Sequence, residues 1–101
     1  RSKIEFEVAD LLTDIMDSTG ESSVSFVVND IATLLNYRNV RADTSEIRRL
    51  LQIYWHLKPV SNSLTYRTYA VGMFPAKYIA KTAVGRYYTV TKDFILNLSL
   101  F

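Results

Sequence analysis

The chain has no cysteine, and this one absence removes disulfides, thiolate zinc sites and cysteine nucleophiles together. It has a single histidine, His56, with no carboxylate at a matched spacing, so neither a metal site nor an acid–base pair can be recognised around it. Glycine is scarce. The three glycines, at 20, 72 and 85, stand in no phosphate-binding spacing, which excludes a glycine-rich nucleotide loop. Long apolar runs are missing as well. The longest stretch without a charge, residues 68–76, is interrupted by Gly72 and Pro75 and is far shorter than the roughly 20 residues of a membrane span. A non-enzyme with no cofactor, no metal and no membrane partner is expected. The lack of cysteine also fits an intracellular, cytoplasmic protein. The chain opens on Arg1 without a methionine or a recognisable signal peptide and closes in what reads as helix, as a piece of something longer would.

What is present is an ordinary folding composition. With 101 residues, 49% hydrophobic and 22% charged, the chain is expected to form a single domain over residues 1–101 with one modest core. Its net charge of +2 conceals a strong asymmetry. Residues 1–35 hold two bases against seven acids, a balance of −5, whereas residues 36–101 hold ten bases against three acids, a balance of +7. One part suits a polyanion and the other would repel it, which is an argument about partners and orientation rather than fold.

The segment 41–57 is the most informative. Ile47, Leu50, Leu51, Tyr54 and Leu57 recur at the three-and-four spacing of one helix face and should pin the helix to a core. Between them Ser45, Arg48, Arg49 and Gln52 repeat the same spacing as a row of hydrogen-bond donors. Arginine can take guanine, and glutamine adenine, through paired hydrogen bonds in the major groove of DNA. Asp43 or Thr44 caps this helix, with Glu46 placed three residues after Asp43 to return a bond to the cap. His56, more than two turns beyond Ser45, falls outside the row and reads as a helix-end surface residue; Trp55 reads as core or an interface anchor.

Elsewhere the pattern predicts a first helix over residues 4–18, with Ile4, Val8, Leu11, Leu12 and Ile15 inward and a solvated acidic face of Glu7, Asp10, Asp14 and Asp17, ended by Thr19 and Gly20. Residues 23–28 alternate as a short strand. Asn29 or Asp30 then caps a short helix carrying Ile31, Leu34 and Leu35 that ends near Tyr37. Beyond Pro59, residues 64–73 and 86–91 carry strand signals. Residues 74–85 between them are either a long hairpin tip or a short helix opened by Pro75. A cap among residues 91–93 starts a last helix, with Phe94, Ile95, Leu98 and Phe101 inward.

This order, with the segment Asn-Asp-Ile-Ala-Thr-Leu-Leu and the capped Thr-Ser-Glu-Ile-Arg-Arg-Leu-Leu helix, resembles the winged helix-turn-helix family, and within it the small, aromatic-rich, cysteine-free regulators of archaea and their mobile elements. The resemblance implies an α+β fold: a three-helix core, a small antiparallel β-hairpin wing and a C-terminal helix. It implies a regulator of transcription that binds double-stranded DNA with helix 43–57 in the major groove and hairpin 64–91 as wing. The hairpin region is longer than a minimal wing. Carried over by position, Thr44, Ser45, Arg48, Arg49 and Gln52 would read the groove, with Arg38 and Arg41 on phosphate before the helix. Arg67, Lys77, Lys81 and Arg86 would serve the wing, beside Tyr66, Tyr69, Tyr78 and Tyr87. Such domains usually act as homodimers, and the apolar first and last helices, with Phe6, Phe94 and Phe101, are the expected contact. The rival expectation is a winged-helix protein-interaction module of a replication, transcription, partition or membrane-remodelling assembly, which the acidic first helix and the aromatic excess would suit.

Overall fold

Ser2 accepts a hydrogen bond from the Glu5 amide at 3.3 Å and so starts the first helix, α1, over Lys3–Thr19. This computed structural model describes residues 2–64, 67–70, 77–80 and 83–98, with side chains for 2–60 and 86–98. Helix α1 buries Val8, Leu11, Leu12 and Ile15, as their spacing predicts, and Met16 in addition, while Ile4 is only half-buried. It stops at Gly20, whose amide bonds the Met16 carbonyl at 2.9 Å with φ at 74°, a left-handed conformation that glycine adopts without strain.

Strand β1, Ser23–Phe26, alternates exposed and buried residues. It runs antiparallel to β5, Ala83–Thr91, in a register that sets Val24 opposite Val90 and Phe26 opposite Tyr88. On the buried face the Phe26 and Tyr88 rings stack with centroids 6.1 Å apart. On the exposed face the hydroxyls of Ser25 and Thr89 lie 2.8 Å apart.

Helix α2 spans Val28–Tyr37 and begins before the expected cap at Asn29 or Asp30. Val27 holds the cap position with no side-chain bond, and the Asp30 and Ile31 amides bond its backbone carbonyl at 3.1 and 3.4 Å. The reason is packing: Val28 and Ile31 are both buried, so the first turn forms around apolar contacts. Asp30 lies inside that turn, where a carboxylate favours the helix start. The end of α2 is made by Asn39, left-handed at φ 61°, with the Asn39 amide on the Asn36 carbonyl at 3.0 Å and the Val40 amide on the Leu35 carbonyl at 3.0 Å. Residues 40–43 then lead into helix α3, Thr44–Arg49.

Beyond α3 the chain forms two paired ladders. Strand β2, Val60–Leu64, pairs with β5, and β3, Arg67–Ala70, pairs with β4, Lys77–Ala80, both antiparallel. Leu64 faces Ala83 and Arg67 faces Ala80, three residues further along each arm, so both ladders share one hairpin register. The first arm therefore begins at Val60 rather than residue 64. Residues 77–80 and 83–85 are strand, so the expected alternative of a short helix over 74–85 does not hold for them. Those residues satisfy their backbone groups by pairing across the hairpin, a long-range option that local propensity cannot register. Residues 74–76, 81 and 82 of the expected tip, and residues 71–73 of the expected first strand, lie outside the described residues. Strand β5 sits centrally in the order β1-β5-β2. Helix α4, Lys92–Leu98, then starts where Thr91 Oγ1 accepts from the Phe94 amide at 3.1 Å.

The described residues thus form a small α+β fold of four helices and antiparallel strands. One core joins α1, α2, α3, β1 and β5, with Phe94, Ile95 and Leu98 of α4 packed on its edge. Phe101, expected inward, lies outside the described residues. Among the described residues no helix is long and apolar enough to cross a membrane.

Candidate functional site

Ile47, Leu50 and Leu51 are buried and hold α3 against the core. Roughly 1.5–3 kcal/mol accompanies full burial of each such side chain, enough to fix which face of the helix points out. The expected reciprocal cap does not form. Asp43 stands at the cap position, but its side chain makes no bond there; only its backbone carbonyl is used, by the Ile47 amide at 3.0 Å. Asp43 and Glu46 are both exposed carboxylates three residues apart, and like charge opposes the close approach a capping box requires.

After Arg49 the helix changes its winding. Leu50–Tyr54 form a π-helical turn, in which the Trp55 amide reaches the Leu50 carbonyl five residues back at 2.9 Å. One residue more is thus taken up per turn, and this corrects the expected inner stripe. Tyr54 is 65% exposed, whereas Trp55 is 4% exposed and fills the place that Tyr54 would hold on a regular α-helix. The cause lies outside the helix. The Trp55 indole donates to Glu5 Oε2 at 2.6 Å and meets the Phe94 ring edge-on at 5.4 Å, so α1 and α4 together draw it inward. His56, exposed and left-handed at φ 56°, then closes the helix, and the Leu57 amide bonds the Leu51 carbonyl at 2.9 Å.

The outer face of this helix is polar at its start. Ser45, Arg48 and Arg49 are exposed, while Thr44 and Gln52 are half-buried at its flanks. Among the described residues neither arginine takes part in an ion pair. Arg49 borders a groove of about 530 Å³ shared with Ser2, Ile4, Glu5, Glu46 and Tyr54, so the carboxylate of Glu5 on α1 and that of Glu46 on α3 both line it. Ile53, which the sequence reading did not single out, is 55% exposed on the same helix. No local signal marks it, because its direction depends on the π turn.

The other candidates are distributed. Arg41 is exposed and borders a shallow groove with Thr33, Asn36 and Asp43, beside the start of α3. Arg38 is half-buried and its Nη2 bonds Asp14 Oδ2 at 2.6 Å, so it ties the end of α2 to α1. Arg86 is exposed on β5, two residues before buried Tyr88 on the same side of the strand. Arg67 and Lys77 occupy strand positions in β3 and β4, with side chains outside the described residues, and Lys81 lies outside them altogether. Among the described residues no three His, Cys, Asp or Glu side chains gather into a metal-binding group.

Comparison of the chain with protein-family models, with curated proteins and with solved structures gave no match.

Proposed function

We propose that this chain is a winged-helix domain that binds double-stranded DNA without catalysis, as a regulator of transcription inside the cell. The observation that carries the reading is the outward row Ser45, Arg48 and Arg49 on a helix whose opposite side is buried. Both guanidinium groups are exposed and without an ion-pair partner among the described residues, and a planar guanidinium matches guanine and phosphate alike. Support also comes from topology. Residues 38–43 join α2 to α3, and the sheet order β1-β5-β2 ends in a paired hairpin, an arrangement compatible with a groove helix flanked by a wing.

In this reading the basic residues draw the chain to the duplex, and α3 enters the major groove with Arg48 and Arg49 at base edges. Ser45 and Arg41 sit at the leading end, beside the backbone; Gln52 and Thr44 flank the contact, and Arg86, with Arg67, Lys77 and Lys81, serves the hairpin side. A homodimer through α1 and α4 would place two such helices about 34 Å apart on successive groove faces. Phe6 on α1 and Leu96 on α4, each more than half exposed, are apolar groups that such a contact would cover. The same two residues support the second reading, a protein-interaction module that uses α1 and α4 with no nucleic acid.

Binding of a fluorescent random-sequence duplex, at low and at raised salt, separates the two readings. The first expects binding that weakens steeply with salt and is lost in Arg48→Ala with Arg49→Ala. Absence of binding at low salt, or indifference to the double substitution, removes it.

A further inference from the structure

A helical turn that closes its hydrogen bonds five residues back holds one residue more than an α-turn, so the side chains lag progressively until, at its end, a residue points where its predecessor would have pointed. Trp55 shows this on the inner face, where it replaces Tyr54. The outer face is re-indexed progressively along the same turn. Gln52 is carried toward the flank already held by Arg48 and is half-buried there. Ile53, 55% exposed, comes into line with Ser45 and Arg49, one turn apart along the middle of the outward face. Tyr54 swings to the side of Glu46, where both border the groove against α1. The exposed face therefore runs Ser45, Arg49, Ile53 along its middle, with Arg48 beside them, and is polar at its start and apolar at its end.

A single exposed isoleucine is common on protein surfaces. Its place in this row gives it a chemical meaning. The major groove offers one apolar group, the 5-methyl of thymine, among donors and acceptors on every base pair. An isoleucine pressed against any other base edge would cover polar groups that it cannot bond, at a cost in binding. We infer that Ile53 is a specificity residue that packs on a thymine methyl at one end of the site read by Arg48 and Arg49. The inference rests on the DNA-binding reading above.

The test uses duplexes enriched on the full chain from a randomised pool, then resynthesised with deoxyuridine in place of thymidine, which deletes only the methyl group. Wild type should bind the uracil duplex about fourfold more weakly for each contacted methyl, the worth of burying one such group. Ile53→Ala should bind both duplexes equally, and Ile53→Val, the more conservative change, should keep part of the preference. An uracil penalty unchanged in Ile53→Ala, or absent from wild type, overturns the inference. Arg48→Ala with Arg49→Ala in the same assay separates the two levels. If that variant loses binding while the uracil penalty ignores Ile53, the DNA-binding reading stands and the thymine contact falls. If no duplex is enriched at low salt, both fall.

Discussion

Helices α1 and α3 pack into the same core and carry opposite charge on their outer faces. On α1 three acids are engaged within the molecule: Glu5 with the Trp55 indole at 2.6 Å, Asp14 with Arg38 at 2.6 Å, and Asp17 with Lys92 at 3.9 Å. They tie the first helix to Trp55 just past the π turn, to Arg38 just past α2 and to the start of α4. On α3, Arg48 and Arg49 are exposed and join no ion pair among the described residues. The difference teaches that a charged face need not face a partner. Acidic charge here braces the scaffold, whereas the basic charge on α3 is left to the outside.

The comparison breaks most completely at the residue the two helices share. Trp55→Ala removes a buried ring and leaves Glu5 without its indole donor, and should cost about 3–5 kcal/mol in urea denaturation. Substituting both Arg48 and Arg49 by alanine should do the reverse. Stability should stay within about 0.5 kcal/mol, as for surface changes generally. DNA affinity should fall by about 1–3 kcal/mol for each arginine that contacts a base, in a titration against an enriched duplex. Arg38→Ala removes a pair whose side chains are 18% and 48% exposed, so solvent screening limits the loss of stability to under about 1 kcal/mol. The smallest change expected is a gain. His56→Gly relieves a left-handed residue at φ 56°, offset by the added freedom of the unfolded chain, and should raise stability by about 0.5 kcal/mol with DNA binding unaltered.

Local signals made part of this fold legible. The apolar spacing of α1, its stop at Gly20 and a cap among residues 91–93 each depend on a few neighbouring residues and are found where the sequence places them. Strand β1 keeps its alternation but ends at Phe26 rather than residue 28, because buried Val28 already belongs to α2. What the sequence hid depends on partners far along the chain. Residues 60–63, Val-Ser-Asn-Ser, carry no strand signal of their own and become strand because β5 supplies a ladder for them. Val27 caps α2 with no side-chain bond because core packing, not capping chemistry, sets where that helix begins. In the candidate site, exposure of Ser45, Arg48 and Arg49 follows directly from the helical period. The exchange of Gln52 for Ile53 on the outward row does not. It arises from a π turn, and Trp55 accompanies that turn by reaching Glu5, fifty residues away.

Amide chemical-shift mapping by NMR, with the full chain titrated by a short random-sequence duplex at low salt, tests the contrast between the two helices most directly. Shifts should concentrate on residues 44–53, with Lys3–Thr19 of α1 unmoved. Shifts centred on α1, or none anywhere, would contradict the assignment of the basic face of α3 to DNA.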